Sequence, residues 1–207
     1  MMTKILNPTI HFPVGYFNLL PYPSKLTIQI DRIELIVSHL VLSTQQDWDS
    51  YETSWDFQQL PLLTQTHHQP TLANSYKAWQ THNQTTINTM QQLEQENNRI
   101  FIDAYGLQDE LTPEVPLKEI TLTCNPYYRY SSDNSPEQLE QRLQTDTCKE
   151  LVSYAIGNMM GRYSLNKTGL IYAHANNIGF DPTRYTTFPA DADGILPVTD
   201  ILWFADD

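Results

Sequence analysis

The chain has 207 residues, and its 24 acidic against 12 basic side chains give a formal net charge of −12. This balance excludes a general nucleic-acid coat, because phosphate binding relies on Lys and Arg. A hydrophobic content of 40% excludes wholesale disorder, and no apolar run approaches the roughly 20 residues that span a bilayer. Without a signal-peptide core at the N-terminus, the sequence predicts a soluble, cytoplasmic protein with no membrane partner.

The first part of the chain, residues 1–26, is apolar but interrupted by four prolines. This pattern predicts an extended entry segment with one short strand over Thr9 to Val14. From Ile28, apolar residues at helical spacing predict an amphipathic helix that ends near Thr44.

Aromatic and acidic residues alternate over residues 47–57. We interpret Trp48, Trp55 and Phe57 as side chains that pack under a capped turn. A ligand cage made of the same aromatic residues is the alternative.

The longest regular segment predicts a helix of about 50 Å over residues 71–105. Residues spaced alternately by four and three form a heptad seam, which includes polar Asn83, Thr86 and Asn97. We favour packing of this seam within the same fold, and a partner helix is the alternative. The full seam is Leu72, Tyr76, Trp79, Asn83, Thr86, Met90, Leu93, Asn97, Ile100 and Ala104.

After a connector, Glu119 to Cys124 is predicted to be a strand, because β-branched and apolar residues alternate there. A second helix is predicted over 136–161, with Ser135 as its N-cap and Gln138 completing a capping box. The fold class is therefore mainly α with a few short strands (α+β). We expect one domain over 1–207, with an extended entry over 1–26, a helical part over 27–117 and a strand-helix-loop part over 118–207.

The tetrad that begins at Asn125 and ends at Tyr128 resembles the Asn-Pro-Pro-Tyr motif of amino-methyltransferases. In that motif the Asn and a backbone carbonyl hold the target amine. The second proline is missing here, and no glycine-rich turn precedes the tetrad. We therefore interpret it as a turn.

Other patterns with chemical potential are weak. The six histidines show no metal-binding spacing, and no GxSxG elbow marks a nucleophile. Asp191 to Gly194 is interpreted as a turn rather than a calcium loop. The cations Lys149, Arg162 and Lys167 suit the end of a helix better than a phosphate site. Residue chemistry alone thus predicts no catalytic, cofactor-binding or metal-binding residue.

Four longer stretches of the chain stand out together, at residues 48–57, 94–116, 119–126 and 151–165. Taken in this order, they resemble the adenine-specific DNA methyltransferases of BREX phage-exclusion systems, the PglX type. The opening 6–15 resembles the stretch where the methyltransferase region of that family gives way to its C-terminal half, although Tyr16 stands where the family has Asp. The resemblance covers nearly the whole chain.

This resemblance implies an interior or C-terminal-half piece of a longer enzyme. The family's cofactor loop and true catalytic motif lie upstream of anything matched here, so S-adenosylmethionine is implied for the full-length family and not for this chain. Whether the chain is an enzyme thus stays open. The implied partners are the remainder of the methyltransferase, DNA through the full-length protein and other BREX components.

We therefore expect a non-catalytic connecting segment of a site-specific adenine-N6 methyltransferase, in which the long helix is a structural spine. The rival hypothesis is a free-standing helical module that binds a partner protein through the heptad seam. A DNA-contacting module is the least expected reading, because the net charge is −12.

Overall fold

A computed structural model describes residues 21–64, 66–130, 134–174 and 178–188. The predicted strand over Thr9 to Val14 lies outside this part of the chain. The described residues are mainly helical, which confirms that part of the predicted class, whereas the predicted few short strands are not found among them. Their α-helices are α1 (Ile30–Trp48), α2 (Leu72–Tyr105), α3 (Pro126–Arg129) and α4 (Pro136–Met159), and 3-10 turns cover Ser24–Gln29, Pro61–Leu63, Leu117–Glu119 and Pro182–Arg184.

The two longest helices form where local sequence signals agree. At the start of α4, the Ser135 side chain accepts a hydrogen bond from the Gln138 backbone N–H, and the Gln138 side chain accepts one from the Ser135 N–H. This is the predicted capping box. At the end of α2, Gly106 adopts a φ of 69°, a left-handed cap that a residue with a Cβ adopts at a cost.

The predicted strand over Glu119 to Cys124 is wrong. The alternation of buried side chains is present, since Ile120, Leu122 and Cys124 are all at most 5% exposed. Among the described residues, however, no neighbouring strand pairs with this segment, and side chains and local turns supply its backbone hydrogen bonds. The Asp47 carboxylate accepts from the N–H groups of residues 123 and 124 at 2.5 and 3.0 Å. Within the described ranges, strand pairing is limited to one isolated bridge between Ser164 and Lys167.

The described residues form two compact units, each made from two separate stretches: those of 21–40 with 92–115, and those of 41–91 with 116–188. In the first unit, the Arg32 guanidinium donates two hydrogen bonds to Glu96, at 2.7 and 2.6 Å. The Tyr105 hydroxyl donates to the Pro21 carbonyl at 2.7 Å. These contacts hold the last turns of α2 to the first turn of α1 and to the segment before it.

The second unit contains an aromatic core. Phe57 meets Tyr154 and Tyr163 edge-on, with ring centroids 5.8 and 5.5 Å apart, and the two tyrosines stack on each other at 5.0 Å. Gly157 makes this arrangement possible, because a Cβ on that residue would lie only 2.6 Å from the Tyr163 ring.

Three of the six heptad-seam residues that α2 places in the second unit are buried. Trp79, Asn83 and Met90 are 5%, 7% and 2% exposed. This burial favours intramolecular packing over a partner helix at these positions. Leu72, the first seam residue, is half exposed. Among the described residues, no helix is long and apolar enough to cross a membrane.

Candidate functional site

The second unit contains a cavity of about 260 Å³ beside the C-terminal end of α1. The chain turns sharply after α1, and the Ser54 hydroxyl fixes this turn by donating to the Asp49 carboxylate at 2.6 Å. Side chains of the turn, of α3 and of α4 therefore converge on one space. The lining residues are Trp48, Ser50, Tyr51, Glu52, Thr53, Leu60, Thr123, Arg129, Glu150 and Ser153.

An ion pair forms one wall of the cavity. Arg129, the last residue of α3, donates from Nη2 to Glu150 Oε1 at 2.9 Å, and both side chains are about three-quarters buried. The guanidinium lies 5.5 Å from the Tyr51 ring and 5.6 Å from the Tyr130 ring, within cation–π range. Burial raises the pKa of Glu150 above its ordinary value, and the hydrogen bond from Arg129 offsets only part of this rise.

Three lining residues carry a buried polar atom that has no hydrogen-bond partner: Tyr51 Oη, Glu52 Oε1 and Arg129 Nη1. The other Glu52 oxygen accepts from the Tyr163 hydroxyl at 3.3 Å. Burial raises the pKa of Tyr51, and the negative charge of Asp47 adds to this rise, so the phenol stays protonated. The wall therefore combines one spare acceptor with two spare donors.

The charges of the lining residues limit what this cavity can hold. Two carboxylates, Glu52 and Glu150, face one guanidinium. The surplus of negative charge disfavours a phosphate group, and the half-exposed Trp48 ring offers an apolar face at the rim. A neutral or cationic group with both donors and acceptors suits this wall best.

A second cavity of about 150 Å³ lies beside His67 and is also lined by Asp47, Tyr51, His82 and Asn83. His67 Nδ1 is 3.2 Å from the Pro61 carbonyl, which can only accept, so Nδ1 carries the proton. Burial lowers the pKa of His67, which keeps the ring neutral. His67 Nε2 is then a spare acceptor and Asn83 Nδ2 a spare donor, a polar pair that suits an ordered water.

Metal-binding side chains do not cluster in this part of the molecule. In the ranges that the structure describes, no three or more His, Cys, Asp or Glu side chains lie close enough to hold an ion. Cys124 is buried and Cys148 is exposed, and both thiols are free.

Asn125 of the methyltransferase-like tetrad is the N-cap of α3. Its side-chain oxygen accepts from the Tyr127 N–H at 3.1 Å, and its amide nitrogen donates to the carbonyls of Leu117 and Ile120 at 2.7 and 2.9 Å. The residue is 0% exposed. Both ends of the amide are therefore used to fold the local turn.

The aromatic residues of 47–57 behave differently from the prediction. Phe57 packs in the core, as predicted. Trp48 is 52% exposed and Trp55 is 99% exposed, so packing under the turn is wrong for both. The turn is held by Asp49, Ser54 and backbone hydrogen bonds, and it does not need aromatic packing.

The three basic residues near the end of α4, Lys149, Arg162 and Lys167, do not form a phosphate-binding site. Lys149 pairs with Asp146, three residues before it in α4, at 2.9 Å. Arg162 and Lys167 are exposed. The predicted turn over Asp191 to Gly194 lies outside the described residues.

The Arg129–Glu150 ion pair was not predicted from the sequence, because 21 residues separate its members and no local spacing joins them.

The sequence of the chain was compared with family models and with known proteins. No family model matches the chain. The chain is 34% identical over 99% of its length to the adenine-specific methyltransferase BrxX of Escherichia coli O9:H4 (strain HS), and it covers 16% of that protein. It is also 34% identical over 99% of its length to the adenine-specific methyltransferase PglX of Lacticaseibacillus casei (strain Zhang), and it covers 15% of that protein.

Proposed function

We propose that this chain, a homologue of one segment of the BREX adenine-specific methyltransferases BrxX and PglX, is a non-catalytic connecting segment of such an enzyme. The observation that carries the proposal is the pattern of coverage. Nearly the whole chain matches a continuous segment, and that segment is about one sixth of each relative. The complete enzyme would methylate adenine N6 at a specific DNA site and so mark host DNA, in the cytoplasm, against phage exclusion.

The geometry around Asn125 supports a non-catalytic role. An Asn that holds an exocyclic amine of a flipped base needs a free side-chain oxygen. Here that oxygen caps α3, and the amide nitrogen donates to two backbone carbonyls. Freeing Asn125 would leave these backbone groups unpaired in a buried position. The tetrad is therefore a structural turn.

S-adenosylmethionine is the methyl donor that the family implies, and the described residues do not fit it. A glycine-rich loop between a strand and a helix is the usual cradle for a nucleotide-like cofactor. The described glycines with positive φ stand singly, each at its own turn: Gly106, Gly161, Gly169 and Gly179. We infer that the donor is bound by the rest of the enzyme, and that this segment contributes architecture.

The partners in this proposal are the remainder of the methyltransferase, DNA through the complete enzyme and other BREX components. Within this segment α2, with 34 residues, is the spine. The rival hypothesis of a free-standing interaction module is less well supported, because Trp79, Asn83 and Met90 of its seam are buried within the chain.

The test has two arms. First, the purified chain is incubated with labelled S-adenosylmethionine and unmethylated duplex DNA, and we expect no transfer of label. Second, the chain replaces the matched segment of the E. coli relative, and we expect this chimaera to retain adenine methylation. The control chimaera carries a Gly/Ser linker of equal length, and we expect it to be inactive. Label transfer by the isolated chain, or equal activity with the linker, would overturn the proposal.

A further inference from the structure

The C-terminal half of α4 is apolar on two opposite sides. Its inner side includes Tyr154 and Gly157, which are buried in the aromatic core. Its outer side presents Val152, Ile156 and Met160, which are 58%, 49% and 66% exposed. These three residues are four apart, so they form one stripe along the helix.

The outer side changes character along the helix. In the first half it carries polar, exposed Gln141 and Thr145, as expected of a helix that faces water. In the second half, Val152, Ile156 and Met160 replace them, while Lys149 on the same side is 72% exposed and pairs with Asp146. An exposed apolar stripe that polar residues border is typical of a contact surface.

The spacing of the outer residues indicates the shape of what covers them. Cys148, Val152, Ala155 and Met159 are separated by four, three and four residues, which is the heptad spacing of a helix-helix seam. Cys148 and Ala155 are small and exposed, and small side chains allow a second helix to approach closely. The surface suits an amphipathic helix.

The limited size of the stripe favours a helix of the same polypeptide over a separate protein. Cys148 to Met160 spans about 18 Å of helix, whereas a stable complex of separate proteins buries about 800 Å² per partner. A short apolar stripe suits a helix tethered in the same polypeptide, because tethering supplies a high effective concentration. The relatives contain ample sequence for this purpose, since the chain covers only 16% and 15% of them.

We propose that the outer face of α4, from Cys148 to Met160, is the docking surface for an amphipathic helix from the remainder of the methyltransferase. This inference rests on the proposed function and adds the place where this segment meets the rest of the enzyme.

Cys148 supplies the experimental readout, because its thiol is exposed whereas that of Cys124 is 5% exposed. The rate of maleimide modification at Cys148 is measured by peptide mass in the isolated chain and in the chimaera with the E. coli relative. We expect modification to be at least about tenfold slower in the chimaera, the factor given by about 1.4 kcal/mol of docking free energy.

The variants Val152→Glu and Ile156→Glu test the face directly. In the chimaera, each is expected to restore fast modification of Cys148. In the isolated chain, each should leave helix content unchanged, because both side chains are about half exposed. The matched control is Gln141→Glu, on the polar half of the same face, which should not change the rate.

The outcomes separate this inference from the proposed function. A chimaera that methylates adenine while Cys148 reacts as fast as in the isolated chain would overturn the docking surface and leave the connecting role intact. A protected but inactive chimaera would support the docking surface and contradict the connecting role. Slow modification of the isolated chain that accelerates on dilution would identify a second copy as the occupant and would overturn the inference.

A second measurement tests the docking surface if the chimaera does not fold. The isolated chain is mixed, at concentrations up to the millimolar range that a tether supplies, with the E. coli relative from which the matched segment has been deleted. Protection of Cys148 in this mixture, lost with Val152→Glu, would support the docking surface. An unchanged rate in the mixture would count against it.

Discussion

At the residue scale, single polar side chains take the place of regular secondary structure in the second unit. Asp47, near the end of α1, accepts from the N–H groups of Thr123 and Cys124, which lie 76 and 77 residues further along the chain. Asn125 satisfies the carbonyls of Leu117 and Ile120 in the same segment. These two side chains explain how a buried, extended-looking sequence is stable without a neighbouring strand.

Replacement of Asp47 by Ala should therefore destabilise the protein. Two partly buried N–H groups would lose their acceptor, and each unsatisfied group costs about 1–3 kcal/mol. Chemical denaturation followed by circular dichroism would measure the loss. The control is Asp56→Ala, an exposed residue in the turn after α1. Equal stability of the two variants would show that the Asp47 hydrogen bonds contribute nothing.

Glu150 gives a prediction about pH. Burial raises its pKa in the fold above the ordinary 4.5, so the folded state favours the protonated carboxyl. The contribution of this group to the free energy of unfolding is therefore present below about 4.5 and is lost as the pH rises through the folded pKa. We expect the stability of the wild type, measured relative to Glu150→Gln, to fall as the pH rises through this window.

The control for this measurement lies on the same helix. A hydrogen bond from Ser135 lowers the pKa of Glu137. Its contribution is present above the unfolded pKa and is lost as the pH falls, so Glu137→Gln should show the opposite trend. The same trend for both variants would contradict the assignment for Glu150.

At the element scale, α4 depends on one glycine. Gly157 faces the Tyr163 ring, which is confined by Tyr154 at 5.0 Å and by Phe57 at 5.5 Å. The glycine costs about 1 kcal/mol of helix propensity relative to alanine. It is tolerated because a methyl group would overlap the ring.

Gly157→Ala should thus destabilise the chain despite the better helix propensity of alanine. Overpacking of a confined core costs about 1–3 kcal/mol, which exceeds the gain in propensity. Thermal unfolding would show a lower midpoint, while Gln144→Ala at an exposed position of α4 should leave it unchanged or raise it. A higher midpoint for Gly157→Ala would show that the Tyr163 ring can move aside.

A hydrogen bond connects α2 and α4. The Tyr76 hydroxyl donates to Glu140 Oε1 at 2.8 Å, and burial together with this bond raises the pKa of Tyr76. Tyr76→Phe should cost about 1.5–3 kcal/mol, the usual contribution of a hydrogen bond to a charged group. A double-mutant cycle with Glu140→Ala, which removes the acceptor, should give a coupling energy clearly different from zero. Additive effects would mean that this bond does not stabilise the packing of the helices.

The sequence predicts those features whose residues lie close together along the chain, and it does not predict contacts between distant residues. The capping box at Ser135 and the seam of α2 are local patterns, and both helices agree closely with their predicted bounds of 71–105 and 136–161. The Arg129–Glu150 wall and the Asp47 hydrogen bonds join residues that are 21 and 76 positions apart. No periodicity encodes such pairs. The cavity they help to form was therefore not predicted, and Glu119 to Cys124 was mistaken for a strand.

At the scale of the whole molecule, the net charge of −12 lowers the affinity that we expect of the isolated chain for DNA. Binding to duplex DNA gains most of its free energy from counterions that basic residues release. We expect the isolated chain to bind duplex DNA weakly and with a shallow dependence on salt, as measured by fluorescence anisotropy. Tight binding with a steep salt slope would indicate a DNA-contacting module. The matched comparison is the active chimaera, which should bind.

The division into two compact units has a spectroscopic consequence. The three tryptophans that the structure describes, at positions 48, 55 and 79, all fall in the stretch 41–91, and Trp203 lies outside the described residues. With Trp203 replaced by Phe, indole emission therefore reports on one unit, whereas far-ultraviolet ellipticity reports on the helices of both. Buried Trp79 should emit at shorter wavelength than the exposed Trp55. If the two signals change at different denaturant concentrations, the chain unfolds in two steps, and the light it emits records only one of them.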